Sequence, residues 1–178
     1  MVNAGVCATF AAGCFWGTEH FFTKQFGSAL LAHRVGFMGG RDDTVVTYAD
    51  VKGGDTGHAE VLHLTFDPTK VEYSKLLEFF FRMHDPTTKN KQVGDIGTQY
   101  RSAIFFHNDE QRKLAEAFIA CLNDPGQQLR KKFTAAFGQD ARVVTTVEPA
   151  TRFHPAEDYH QQYLEKNPGG YCAHRLYW

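Results

Sequence analysis

A cysteine held between two glycines and followed by two large aromatics, Gly13-Cys14-Phe15-Trp16-Gly17, is the stretch of this chain best suited to chemistry. It falls between a run that reads as a strand, Val6 to Ala12, and one that reads as a helix, Thr18 to Phe26. A thiol at a strand-to-helix turn sits over the unpaired N–H groups of the first helical turn and the positive end of the helix dipole. Both favour the thiolate. Lowering a thiol pKa by about one unit, worth roughly 1.4 kcal/mol, raises the thiolate fraction several-fold at neutral pH. Turn residues are normally small and polar, so Phe15 and Trp16 read as an apolar platform beside a nucleophile. A buried structural thiol is the competing reading.

Other residues could serve such a nucleophile. Glu60 ends Asp55-Thr56-Gly57-His58-Ala59-Glu60, where a glycine-rich loop enters a strand. Carboxylates are common at such places, and an unperturbed Glu is protonated in only about one molecule in 500 at pH 7. To act as a general acid it needs a raised pKa, which burial beside aromatics provides. Tyr48 and Tyr100 lie on or beside two polar loops, where packing with an exposed hydroxyl is the ordinary role. Asp95, five residues before Tyr100, could equally be a turn residue. Cys172, in Gly169-Gly170-Tyr171-Cys172, is near a glycine-rich end, and a mobile second thiol suits resolution of an oxidised first one. Cys7 and Cys121 read as inert core thiols.

With these residues in view, the chain resembles the A-type peptide methionine sulfoxide reductases from about Ala8 to Cys172. Gly13 to Gly17 is similar to their signature, and Asn167 to Cys172 to their Asn-Pro-x-Gly-Tyr-Cys block. The resemblance implies reduction of methionine-S-sulfoxide, free and in oxidised proteins or peptides. Cys14 would attack the sulfoxide sulfur and become a sulfenic acid, with Glu60 as the acid for the departing oxygen. Tyr48 and Tyr100 would hydrogen-bond that oxygen, Asp95 would help orient the pocket, and Phe15 and Trp16 would wall the S-methyl group, with core packing as their alternative. A Cys14–Cys172 disulfide would follow, since many relatives carry a further recycling cysteine and the given sequence shows none after Cys172. Thioredoxin, or dithiothreitol in vitro, would be the reductant, with no metal and no bound organic cofactor. The chain departs from relatives at Phe37 and in Phe153-His154-Pro155. The block Ala156 to Tyr163 otherwise matches, and its expected role is to support the edge of the site.

These residues must be positioned by the elements between them. At 178 residues with net charge -1 and no like-charge block, the chain reads as one domain, residues 1–178, with a tail of about 167–178. Nothing in this balance points to nucleic acid or an anionic membrane. No apolar run approaches a membrane span of roughly 20 residues, and the start on a strand leaves no leader expected. Four cysteines without a zinc spacing suggest a reducing compartment, the cytoplasm, and a monomer is the expectation.

Strands are read at Leu30 to Phe37, Glu60 to Phe66, Tyr100 to Phe106 and Val143 to Val147. Helices are read at about Val71 to Met83, from an Asn108 cap, at Gln127 to Phe137, and from Pro155 to about Lys166. Loops span Met38 to His58 and Thr87 to Gly97; the first is long enough to suggest a function. Strand, helix, strand, strand, helix, strand is the order of a split βαβ unit. The expected class is therefore α+β, a two-layer ferredoxin-like sandwich with a mixed sheet and a long irregular C-terminal segment. Two other classes compete. One is a metal site of His154, His160, Cys172 and His174, against which their irregular spacing counts. The other is an RNA-binding sheet, against which the near-neutral charge counts.

Overall fold

The computed structural model describes residues 4–42 and 46–178. The chain runs through β1 (Val6–Ala12), α1 (Phe15–Phe26), β2 (Leu30–Met38), α2 (Tyr48–Lys52), β3 (Ala59–Phe66) and α3 (Tyr73–Arg82). A short hairpin, β4 (Lys91–Gln92) and β5 (Asp95–Ile96), precedes β6 (Ser102–Phe106). Then come α4 (Asp109–Asn123), α5 (Gln128–Phe137), β7 (Thr146–Pro149), β8 (His154–Pro155) and α6 (Tyr163–Lys166). Six strands form one sheet in the order β7-β6-β1-β3-β2-β8. The pairings are antiparallel except β6 with β7, which is parallel, so the fold is α+β with a mixed sheet.

Successive residues of a strand face opposite sides, and β1 uses both. Phe10 lies fully buried under α1 and α3, its ring 5.3 Å from Phe22 and 5.3 Å from Phe80. Ala11 faces the other way, into a smaller cluster with Met38, Val61 and Phe105, against which Phe153 packs. The rich phenylalanine content thus fills the main core. Asn108 caps α4 as its residue type predicts, its side chain accepting the Gln111 N–H at 2.8 Å. Cys7 and Cys121 are half-buried rather than sealed in the core.

Several boundaries differ from the sequence reading. α1 begins at Phe15, because Cys14 is itself the cap residue and its carbonyl accepts from Thr18. The loop after Met38 contains α2, started by a reciprocal Thr47–Asp50 cap; its residues 43–45 lie outside the described ones. The loop Thr87 to Gly97 holds the β4–β5 hairpin. The last long pairing is at Thr146–Pro149, and β8 adds a further edge.

The largest difference is at Pro155 to Lys166, expected to be one helix. A single 3-10 turn (Asp158–His160) and the four-residue α6 form instead, separated by Gln162 in the left-handed region at φ 52. Tertiary bonds override the helical tendency here. Gln161 bridges to Val35 N and O at 2.8 Å each, and Gln162 N–H donates to Glu19 Oε1 at 2.6 Å. Among the described residues no helix is long and apolar enough to cross a membrane.

Candidate active site

β1 ends at Ala12, and Gly13 turns the chain with φ 86, a region that disfavours side chains. Cys14 then caps α1, with the Trp16 and Gly17 N–H groups directed at its sulfur. The residue is only 8% exposed. Burial, and next the Glu60 carboxylate, push its thiol up to about 12 against the weaker pull of those two N–H groups. The expectation of a resting thiolate is therefore corrected. Cys14 does stand at a helix start, but desolvation of the charged form outweighs that position, and the free protein holds a neutral thiol.

Glu60 is the second residue of β3, paired with Phe37 of β2 and 3% exposed. Its Oε1 accepts the Phe15 N–H at 3.1 Å, which ties it to the residue next to Cys14. Burial raises its pKa to about 8, with Asp95 adding to the effect and the Phe15 N–H opposing it. At neutral pH the carboxyl is thus mostly protonated, by about ten to one. That is the condition a general acid requires.

Two tyrosines and an aspartate complete the ring. Tyr48 opens α2, its N–H donating to Glu157 Oε1 at 3.1 Å. Tyr100 ends the 3-10 turn Thr98–Tyr100 that leads into β6. Burial first and Glu60 second raise both phenols, and Cys14 and Asp95 also act on each. These groups therefore share one electrostatic neighbourhood. Among the described residues neither hydroxyl has a protein hydrogen-bond partner, so both are available to a ligand oxygen. Asp95 opens β5, and its carboxyl is raised by burial while Oδ2 accepts the Tyr171 O–H at 3.1 Å.

The aromatic platform divides in two. Phe15 is buried against Phe37 and His160, with ring centroids 5.6 and 5.3 Å away. Trp16 is half-buried and stacks on Tyr163 at 3.7 Å, and its Nε1–H donates to His160 Nδ1 at 3.0 Å. The His160 ring also lies 4.5 Å from that of Tyr48. His160 and Tyr163 thus lock Trp16 and back Tyr48. The sequence reading gave their block only an edge-supporting role. A histidine and a tyrosine spaced by three in an aromatic-rich block were the available signal.

Cys172 is exposed, and like the other three cysteines it is free of any disulfide. Its Sγ rests against Gly17: a Cβ there would lie 3.0 Å from the sulfur. The metal set entertained from sequence is not assembled. His154 bonds Asp42 at 2.8 Å, His160 bonds Trp16, and His174 bonds the Ala12 carbonyl at 2.6 Å. Asp42, His58 and His154 do bring three ligand-type atoms within 4.8 Å of one another. Asp42 is there satisfied by both imidazoles and the Arg152 N–H.

Comparison with known proteins points the same way as this geometry. A family model described as peptide methionine sulfoxide reductase matches residues 6–177. The chain is 51% identical over 165 residues to the peptide methionine sulfoxide reductase MsrA of Methanothermobacter thermautotrophicus, covering 93% of this chain and 89% of that protein. It is similar to the crystal structure of Mxr1 from Saccharomyces cerevisiae in reduced form, with TM-score 0.83 and 38% identity, covering 99% of this chain and 94% of the other. A structure of Mxr1 in complex with Trx2 aligns with TM-score 0.59 and 27% identity over 99% of this chain and 92% of the other.

Proposed function

This chain belongs to the peptide methionine sulfoxide reductase family, oxidoreductases acting on methionine sulfoxide, and on that premise we propose how its own residues carry the reaction. The substrate is the S epimer, free or in oxidised proteins and peptides. The Cys14 sulfur attacks the sulfoxide sulfur while the Glu60 carboxyl gives its proton to the oxygen. The thiol proton passes to the vacated carboxylate, the oxygen ends on Cys14 as a sulfenic acid, and methionine leaves. Tyr48 and Tyr100 donate to the oxygen as it gathers charge. Asp95 orients the pocket, and Phe15 and Trp16 wall the methyl group.

Cys172 then displaces the sulfenic hydroxyl to give a Cys14–Cys172 disulfide, which a thioredoxin-like dithiol reduces. The Mxr1 complex with Trx2 supports that choice of reductant. Four free thiols suit a cytoplasmic setting. The chain acts as one catalytic domain and a monomer, without metal or bound organic cofactor, and neither nucleic acid nor a membrane is a partner. Its core strands, in the order β6-β1-β3-β2, read as a split βαβ, ferredoxin-like unit.

One observation carries this reading: a buried carboxyl, its pKa raised by that burial, bonded to the backbone beside a buried thiol. The test is to offer the two methionine sulfoxide epimers separately with dithiothreitol. The S epimer should disappear and the R epimer persist. Consumption of neither, or of the R epimer alone, would refute the reading.

A further inference from the structure

Three residues beyond Cys14, a second pair of groups converges on α1. A Cβ at Gly17 would stand 2.1 Å from His174 Nδ1 and 3.0 Å from Cys172 Sγ. The ring nitrogen and the sulfur therefore crowd one point in the first helical turn, and only a glycine leaves room for both. His174 is 8% exposed, and its Nε2 bonds the Ala12 carbonyl at 2.6 Å. A carbonyl can only accept, so in the neutral ring Nε2 carries the proton and Nδ1 is a bare acceptor. That nitrogen is buried with no hydrogen-bond partner. An open buried acceptor is unfavourable, and one kept in a folded protein calls for an explanation, a catalytic role among them. Beside it, the thiol of Cys172 is a donor able to meet it.

We propose that His174 is the general base of the resolving step, its Nδ1 taking the Cys172 thiol proton as that sulfur attacks the Cys14 sulfenic acid. This rests on the reading of Cys14 and Cys172 given above. The S–S bond forms as the S–O bond of Cys14 breaks, and the hydroxyl leaves as water with a proton from Glu60. The proton on His174 returns through solvent to the Glu60 carboxylate. Thiol plus sulfenic acid gives disulfide plus water, so no outside oxidant or reductant enters. Burial holds the ring's pKa down to about 4, which keeps Nδ1 open at neutral pH. Proton removal is then concerted with sulfur–sulfur bond formation rather than an ionisation beforehand.

Single-turnover mixing of the reduced protein with methionine-S-sulfoxide separates the two steps. Methionine release reports Cys14, and loss of dimedone-reactive sulfenic acid reports resolution. In His174→Ala the loss should fall on disulfide formation, slowed by about 100-fold or more, and added imidazole should speed it. His174→Gln keeps an N–H for Ala12 but supplies no base, and should be as slow. Resolution at the parent rate in the Gln variant, which decides the matter even if the Ala variant fails to fold, would overturn the proposal. So would a folded Ala variant that imidazole does not accelerate. Absence of a methionine burst in the parent protein would instead overturn the role given to Cys14.

Discussion

The Phe15 N–H donates to Glu60 Oε1 at 3.1 Å, so the backbone that carries the nucleophile also holds the acid. One bond joins the start of α1 to β3 and fixes the carboxyl beside Cys14. The same burial that makes this bond persistent raises both the thiol and the carboxyl. A resting site with both protons in place follows, and it sets several outcomes.

The two cysteines should separate cleanly. Cys14→Ser should abolish turnover. Cys172→Ser should release one equivalent of methionine per chain and then stop when thioredoxin is the reductant. Quantifying methionine against enzyme checks both, and normal thioredoxin-dependent cycling of the Cys172 variant would remove its resolving role.

Glu60 should make stability depend on pH. Its folded pKa, about 8, lies above the unfolded value, so the folded state binds this proton more tightly. That contribution is complete below the unfolded pKa and is lost as pH rises through 8. Glu60→Gln, which cannot ionise, should therefore gain stability relative to the parent between about pH 5 and 9. Urea unfolding across that range measures it, and a constant difference between the two proteins would contradict the assignment.

How much of this was readable beforehand depended on whether the cause was local. The Cys14 motif, the Asn108 cap and the strands β1 to β3 follow from residue types and short spacings, whereas Glu60 was singled out by the resemblance and the need for an acid, since carboxylates are common where a loop enters a strand. The charge state of Cys14 did not follow. Its helix-start position is local, but its burial is tertiary, and the carboxyls that act on it, Glu60 and Asp95, are distant in sequence. The stretch from Pro155 to Lys166 has a helical pattern that bonds from Gln161 to Val35 and from Gln162 to Glu19 override. His160 gained its meaning only when Trp16, distant in sequence, was seen to donate to it.

His160 should act through Trp16. His160→Phe keeps an aromatic ring in the stack but removes the acceptor for the Trp16 N–H. Loss of one such bond is worth about 1 kcal/mol, so KM should rise several-fold with a smaller change in kcat. Steady-state kinetics with a methionine sulfoxide peptide would show it, and an unchanged KM would dismiss a positioning role.

The most direct test is the pH dependence of the single-turnover rate of methionine formation, in the parent and in Glu60→Gln. A reacting form that carries both protons predicts a rate level through neutrality that falls tenfold per pH unit above about 8. It also predicts a Gln variant at least about 100-fold slower. A parent rate that climbs with pH through 8, as a preformed thiolate would give, or a Gln variant at the parent rate, would contradict the account.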